Sequence, residues 1–384
     1  MNSGNNKILN YKVKDKSKAV IPERIKETRI YRGLTQRELG EKIGLTRQAI
    51  NSYEAGTNVP PLNVLLEISK ILDFPINFFY KERVVCENQG EVYFRSRAIP
   101  CKAKDMLELK LKYLSTEIVY FIEKYINLPK LNLIEVEYKE EYTINDIINI
   151  AKRLREYWGL NDKSVKNLMY VMQENGCIIA RLNLNSKKTD GYSKWLSERP
   201  YTFLNTEKNA AVRTRFTLAH ELGHIILHHN LRDGEDIRRR EKEANYFAGE
   251  FLFPSEAVVN EISFVSLDAL VPIKNKWGIS IGAIIRRCLD LELITEERYT
   301  TLQKQISKRK WRTFEPLDDI IKCEEPQLFS EAFKLLVDNG IMTKSEIQNS
   351  ILFSDDELIN ICCLDPSFFK EEKLSIKPKL EVVK

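Results

Sequence analysis

Apolar residues recur every three to four positions from 21 to 79, which is the spacing of amphipathic helices. Thr35 followed by Glu38 forms a capping box at the start of one short helix, and Gly44 ends that helix. Thr46 is placed to cap the next one. Two short helices joined by a Gly-containing turn predict a helix-turn-helix unit. Three further helices would close its core, at 22–32, 61–72 and 75–80.

The pattern beyond residue 80 mixes helices with short β-like runs. It predicts a strand at 92–94, a long amphipathic helix at 104–125, and further helices from Thr143 and from Ser164. The runs CIIARLN, TDGYSKW and RPYTFLN then predict a small antiparallel sheet of about three strands. Helices packed on such a sheet define an α+β domain.

The positive charge is concentrated near the N-terminus. The net charge is +5, and residues 1–80 alone carry 13 Lys and Arg against 8 Asp and Glu, so the rest of the sequence is neutral overall. A polyanion such as DNA is therefore expected to dock on this first region.

Composition also limits the compartment and the chemistry. No apolar run approaches the ~18–20 residues that span a bilayer, and the first twenty residues lack the apolar segment of a secretion signal. We therefore expect a cytoplasmic protein with no membrane partner. The seven cysteines show no C-x-x-C spacing, so we expect them to be reduced and mostly structural.

All four histidines lie within ten residues, and two of them have the spacing of metal ligands. In a continuous helix His220 and His224 are one turn apart on the same face, so both imidazoles can bind one ion. Glu221 follows the first histidine and can reach a water molecule at that ion. This H-E-x-x-H pattern is typical of zinc peptidases, in which the glutamate is the general base.

A catalytic zinc ion needs a third protein ligand. Glu241 on the next helix is favoured, because Asn245 follows it by four residues, shares its face and can orient a ligand imidazole. Glu243, about 200° round the same helix, is the alternative. One Zn²⁺ per chain is expected.

Other residues near this motif have more limited expected roles. His228 would lie about 12 Å along the helix axis from His220, so it cannot share the ion and is expected to be structural. The donor that stabilises the tetrahedral oxyanion stays open among Tyr192, Tyr246, Arg213 and Arg215.

The stretch TQRELGEKIGLTRQAINSYEAGTNVPPLNVLLEISKILDF resembles the Cro/repressor-like DNA-binding domains of the XRE family. The resemblance implies that the helix opened by Thr46 enters the major groove of a double-stranded operator. Gln36 would bind backbone phosphate. Domains of this kind usually read paired half-sites, which is consistent with a homodimer. Base edges or phosphates would be contacted by Arg47, Gln48, Asn51 and Ser52, and Thr46 belongs to the same expected DNA-binding set.

Residues from about 144 to 312 resemble the ImmA/IrrE family of metallopeptidases. The matching stretches include MQENGCIIARL, DGYSKW, RTRFTLAHELGHIILHH, EKEANYFAGEFLFP and WGISIGAIIRRCLDL. In that family the H-E-x-x-H pair and a glutamate of the following helix bind zinc, which corresponds here to His220, His224 and Glu241. The chain departs from the family at Phe253, where Met is common, and at Glu243, where Gln or Arg is common.

The expected fold is multidomain: an all-α helix-turn-helix domain, an α+β zincin-like domain with a small antiparallel sheet, and a helical C-terminal region. The expected units are a flexible basic tail at 1–18, the helix-turn-helix domain at 19–81, a linker with a long helix at 82–142, the peptidase domain at 143–312, and a C-terminal region at 313–384 that ends in a disordered basic tail.

The expected function is that of a DNA-binding regulator with zinc-dependent endopeptidase activity, which cleaves a repressor or antitoxin-type protein. Similar members of the ImmA/IrrE family often carry a repressor-like domain and are associated with inactivating repressors. The alternative is a transcriptional regulator of a phage or toxin-antitoxin type operon, whose peptidase-like domain is a sensor or a structural zinc module.

Overall fold

The computed structural model describes residues 11–12, 19–82, 85–86, 101–182, 190–196, 198–206, 210–229 and 236–370. Strands β1 (Tyr11–Lys12) and β2 (Val85–Cys86) form a short antiparallel pair. Apart from β1, the tail predicted at 1–18 lies outside the described residues, as do the strand predicted at 92–94 and the predicted C-terminal tail. In the described part of the chain, no helix is both long and apolar enough to cross a bilayer.

The N-terminal domain is all-α, as predicted. The Thr35 hydroxyl accepts a hydrogen bond from the Glu38 backbone N–H, and the Glu38 carboxylate accepts one from the Thr35 N–H, which completes the capping box. The helices of this domain are α1 (Pro22–Tyr31), α2 (Gln36–Ile43), α3 (Arg47–Glu54), α4 (Leu62–Leu72) and a 3₁₀ helix (Ile76–Tyr80).

A long helix then packs on this domain. It consists of α5 (Cys101–Tyr113), a π-helical segment (Leu114–Val119) and α6 (Tyr120–Glu123). Glu117 in the π-helical segment is buried; it accepts a hydrogen bond from Arg24 Nη2 at 2.9 Å and lies 2.7 Å from Lys81 Nζ. Because both cations come from the N-terminal domain, this buried ion cluster joins that domain to the long helix.

Two helices, α7 (Ile144–Tyr157) and α8 (Leu168–Glu174), precede a three-stranded sheet. The strands β3 (Ile178–Leu182), β4 (Gly191–Leu196) and β5 (Arg199–Asn205) lie in the order β3-β5-β4. Strand β5 is antiparallel to β4 but parallel to β3. The prediction of an antiparallel sheet was therefore wrong for one of the two pairings. The chain reverses direction twice between β3 and β5, and β5 inserts beside β3 instead of leaving that place to β4.

Alternate residues of the sheet face two different hydrophobic cores. Ile178 and Ala180 belong to the core shared with the N-terminal domain, whereas Cys177 and Ile179 face the core around α9. The helices on that second side are α9 (Ala211–Leu227), α10 (Ile237–Leu252), α11 (Ser255–Glu261), α12 (Leu270–Trp277), α13 (Ile281–Asp290) and α14 (Glu296–Lys308).

The C-terminal helices α15 (Leu328–Asp338), α16 (Lys344–Ile351) and α17 (Asp355–Cys362) join the first core. Phe353, between α16 and α17, packs edge-on against Phe74 of the N-terminal domain, with ring centroids 5.4 Å apart. The sequence had left the role of this region open. In the structure it contacts the helix-turn-helix domain.

Polar contacts reinforce that interface. Glu357 on α17 accepts hydrogen bonds from the Tyr31 hydroxyl, at 2.6 Å, and from the Arg32 guanidinium. The Ser354 hydroxyl donates to Asp73 Oδ2 at 2.7 Å. These bonds orient α17 against the end of α1.

We expect Glu357→Ala to destabilise the fold by about 1–3 kcal/mol at neutral pH, because it leaves the Arg32 and Tyr31 donors without their acceptor. Burial alone would raise the pKa of Glu357, but Arg32 and Lys110 outweigh it and hold the pKa below its ordinary value of 4.5. Stability from a carboxyl with a lowered pKa is complete above the ordinary value and is lost as the pH falls through the lowered one. Urea unfolding should therefore separate wild type from variant at pH 7 and bring them together in acid below pH 4.5.

Glu331→Ala on the exposed side of α15 is the control. Equal destabilisation by both variants would contradict the assigned contact.

Candidate metal centre and DNA-binding face

Helix α9 carries the two histidines of the candidate metal centre. Their Nε2 atoms lie 3.0 Å apart, because His220 and His224 are separated by one helical turn. Leu218, Leu222 and Ile225 bury the opposite side of α9 and so fix which way the histidines face. Two nitrogens bound at about 2.0–2.1 Å to one tetrahedral zinc ion would be roughly 3.3 Å apart, so the observed spacing fits a shared ion.

Helix α10 brings Glu241 to the same point. Its Oε2 is 3.3 Å from His220 Nε2, and its Oε1 is 3.6 Å from His224 Nε2. The two helices approach closely at Gly223, where a Cβ atom would lie 3.2 Å from Ala244 Cα. A glycine at this position therefore lets a side chain of α10 reach the imidazoles of α9.

Among the described residues, His220, His224 and Glu241 form a group that could hold a metal ion, with their donor atoms all within 4.8 Å of one another. Two imidazoles and one carboxylate are the protein donors of several catalytic zinc sites. Glu243, the alternative third ligand, is 5% exposed and contacts His228 instead. The structure thus places Glu241, and not Glu243, beside the two histidines.

Glu221 belongs to α9, is 6% exposed, and its carboxylate faces the edge strand β4. The Ser193 hydroxyl on β4 donates a hydrogen bond to Glu221 Oε2. A Cβ atom at Gly191 would come within 2.9 Å of Glu221 Oε1 and 2.8 Å of Thr217 Cγ2, so only glycine leaves this carboxylate its space. Burial raises the pKa of Glu221, although His220 and Ser193 oppose the shift.

Ser193 and Gly191 were not among the residues predicted for the site. The signal that could have found them is the two-residue period of a strand, which places both on one face of the run DGYSKW. Both are small, as a close approach of α9 requires. Strand pairing alone does not reveal which helix covers that face.

Each histidine uses its second ring nitrogen for a different partner. His220 Nδ1 lies 3.0 Å from Asn245 Oδ1, on the face that Asn245 shares with Glu241. His224 Nδ1 lies 3.0 Å from His228 Nδ1. His228 therefore contacts a candidate ligand without being in the ligand group.

The protonation tendencies of the three candidate ligands differ. Burial lowers the pKa of His224 to about 4. Burial also lowers the pKa of His220, but Glu241 and Glu221 more than offset this effect and leave the pKa above its ordinary value. Hydrogen bonds with both imidazoles lower the pKa of Glu241.

The four candidate oxyanion donors lie in separate surroundings. Tyr192 belongs to the core on the opposite face of the sheet from Ser193. Arg213 and Arg215 are near the carboxylates of Asp190 and Glu324, at 3.7 and 3.3 Å. The ring of Tyr246 packs under the guanidinium of Arg287. We assign none of the four as the donor.

The candidate DNA-binding face is centred on α3. Arg47, Gln48 and Asn51 are exposed, whereas Ile50 is buried against the domain core. Gln36 Nε2, at the start of α2, donates a hydrogen bond to Asn51 Oδ1 at 3.2 Å. The structure therefore brings Gln36 to the same surface as the exposed residues of α3.

Two of the predicted DNA-contacting hydroxyls already take part in local hydrogen bonds. The Thr46 hydroxyl accepts one from the Ala49 backbone N–H at 3.2 Å, as an N-cap does. The Ser52 hydroxyl donates one to the Ala49 carbonyl at 2.8 Å. Their first role is thus to hold α3 in shape.

Comparison with known families assigns a domain type to each site. A helix-turn-helix family model matches residues 25–79, and the Peptidase M78 model, described as the IrrE N-terminal-like domain, matches residues 172–289. The chain thus combines an XRE-type helix-turn-helix domain with an IrrE-like peptidase domain. A helix-turn-helix domain implies DNA binding.

The curated relatives match a segment of about 60 residues of this chain. An uncharacterized HTH-type transcriptional regulator of Sinorhizobium medicae (strain WSM419) is 40% identical over 62 residues, which is 16% of this chain and 45% of the relative. The HTH-type regulator YqaE of Bacillus subtilis (strain 168) is 37% identical over 59 residues, 15% of this chain and 51% of the relative. The chain spans about half the length of these relatives.

Proposed function

We propose that this protein is a DNA-binding regulator with zinc-dependent endopeptidase activity, and that it cleaves a repressor or antitoxin-type protein. The observation that carries the proposal is the convergence of His220, His224 and Glu241 beside the buried carboxylate of Glu221. The same chain contains a helix-turn-helix domain. A substrate that binds the same promoter would be held close to the peptidase site.

The three candidate ligands fit zinc in type and spacing. A zinc ion held by them would supply Lewis-acid activation of water and of a peptide carbonyl. Asn245 would keep the ring of His220 oriented toward that position, because its amide oxygen contacts the second ring nitrogen.

Glu221 is proposed as the general base and acid. Its carboxylate directly follows a ligand histidine and is held by the Ser193 hydroxyl, so its orientation is fixed before the substrate arrives. In this role it takes a proton from the attacking water and later gives that proton to the leaving amine. Gly191 keeps the space beside the carboxylate free of a side chain.

Strand β4 supports a peptide as the substrate class. It is one of the two outer strands of the described three-stranded sheet, and it carries Ser193 beside Glu221. An extended peptide can add to an open sheet edge through main-chain hydrogen bonds. A chain bound there would run past the candidate metal centre.

A second candidate function is favoured by one observation: the curated relatives are named only as transcriptional regulators. In that function the peptidase-like domain would be a sensor or a structural zinc module of a phage or toxin-antitoxin type regulator. Coordination at the metal distinguishes the two functions. Cobalt-substituted protein should change its absorption spectrum on addition of acetohydroxamate if a coordination position is open. An unchanged spectrum, with four protein donors seen by X-ray absorption, would favour the structural module.

We expect Arg47→Ala combined with Gln48→Ala to weaken operator binding by about 100-fold or more, because each bidentate base contact is worth roughly 1–3 kcal/mol. Fluorescence anisotropy with operator and scrambled duplexes, over a series of salt concentrations, measures both specificity and the phosphate contribution. Arg286→Ala with Gln305→Ala removes the same residue types from exposed positions outside the helix-turn-helix domain and should have little effect. Specific binding that survives in the first double variant would refute the groove assignment.

A further inference from the structure

A chain of hydrogen-bonding contacts runs from the candidate metal centre into the protein interior. His224 Nδ1 lies 3.0 Å from His228 Nδ1, and His228 Nε2 lies 2.8 Å from Glu243 Oε2. His228 and Glu243 are only 3% and 5% exposed, so water contributes little to either contact. The neighbouring ligand His220 has a neutral amide, that of Asn245, in the equivalent place.

The geometry dictates how the protons lie along this chain of contacts. His224 Nε2 points toward His220 and Glu241, so its role as a ligand leaves its proton on Nδ1. The Nδ1 of a neutral His228 must then accept that hydrogen bond, and its Nε2–H must donate to Glu243. Each neutral imidazole thereby has one donor and one acceptor in use.

Glu243 is itself held in place. Its Oε1 accepts a hydrogen bond from the Tyr142 backbone N–H at 3.2 Å and lies 3.6 Å from Arg239 Nε. Because its other oxygen contacts His228, the carboxylate is fixed by groups from three parts of the chain. It is anchored on α10 but directed away from the ligand group that contains Glu241.

We propose that His228 and Glu243 form a positioning relay that fixes the tautomer and ring orientation of His224 and strengthens its bond to the metal. The inference rests on the proposed metal site and adds two residues to it. A carboxylate behind an imidazole raises the basicity of the ligand, which an amide does less strongly. The relay therefore gives the two histidine ligands unequal support, with His224 the more strongly held.

Zinc affinity tests this role independently of proteolysis. We expect His228→Ala to weaken zinc binding about 10- to 100-fold in competition with a chromophoric chelator, the usual effect of losing such a partner. Glu243→Gln keeps the shape and an acceptor oxygen but removes the charge, so a smaller loss in the same direction is expected. The pair acts in series, so the double variant should lose less than the sum of the two effects. The cobalt-substituted variants should also show a shifted absorption spectrum.

Controls separate positioning from a merely structural role. Glu315→Gln removes another buried carboxylate, which accepts a hydrogen bond from Lys274 Nζ and none from the ligand histidines. This variant should lower stability without changing zinc affinity. His228→Gln restores an acceptor for His224 and should recover part of the affinity. If His228→Ala does not fold, Glu243→Gln and His228→Gln decide the question.

The outcomes distinguish the relay from the site on which it depends. Wild-type protein that binds no stoichiometric zinc would overturn the proposed metal site. The relay alone would be overturned if wild-type protein binds zinc and the folded variants bind it within about twofold of the wild-type affinity. These variants are Glu243→Gln, His228→Gln and, if it folds, His228→Ala. The reason is that losing such a partner usually costs at least about tenfold in affinity.

Discussion

Glu221→Gln is expected to abolish cleavage of a protein substrate while zinc remains bound. Glutamine keeps the size of the side chain and can still accept the hydrogen bond of Ser193, but it cannot take a proton from water. Loss of a general base costs about 10²- to 10⁴-fold in rate, and here the same group serves both proton transfers. The measurement is the single-turnover cleavage rate together with the zinc content of each preparation.

Glu315→Gln provides the matched control for this variant, because it also neutralises a buried carboxylate in the same half of the chain. It should cleave at the wild-type rate when folded. Operator binding by Glu221→Gln should equal that of wild type, since the variant leaves α3 unchanged. Cleavage at an undiminished rate would exclude Glu221 from the chemistry.

Glu241→Ala should reduce zinc affinity by more than about 100-fold, the upper end of what loss of an outer partner costs, because it removes one of three direct ligands. The side chain is 52% exposed, so its removal should leave the fold intact. Chelator competition measures the affinity, and circular dichroism checks the fold. Activity should be lost at limiting zinc.

Glu256→Ala is the matched control for that loss. Glu256 is a similarly exposed glutamate on the next helix, α11, and its ion pair is with Lys152 instead of with histidines. It should bind zinc as wild type does. If Glu241→Ala kept full zinc affinity, a residue other than Glu241 would have to be the third zinc ligand.

The parts of the site that were predictable from sequence are those set by spacing within one element. The one-turn separation of His220 and His224 fixes their convergence whatever surrounds them, and the four-residue step from Glu241 fixes Asn245 on the same face. Helix capping at Thr35 was equally local. In each case the residues concerned lie within one turn of the same element.

What was not predictable depends on packing between elements. The rotation of α10 that turns Glu243 toward His228 is decided by how the helix seats at Gly223. Ser193 lies beside Glu221 in a sheet whose order places β4 at one edge, and the same strand order makes the β3–β5 pairing parallel. Periodicity contains no information about strand order.

The C-terminal region shows the same limit on a larger scale. The capping box of Thr343 and Glu346 was visible in the sequence and is present in the structure. The contact of Glu357 with Tyr31 joins residues 326 positions apart, which no local pattern could indicate. This contact gives the C-terminal helices a place against the DNA-binding domain.

The central claim is that a regulator with a zinc centre at His220, His224 and Glu241 cuts another protein. The most direct test is mass-spectrometric mapping of protein N-termini in host cells that produce either wild-type protein or Glu221→Gln at equal levels. We expect at least one new N-terminus, within a DNA-binding repressor or an antitoxin, that occurs only with wild type. Identical sets of N-termini in the two cultures would contradict it.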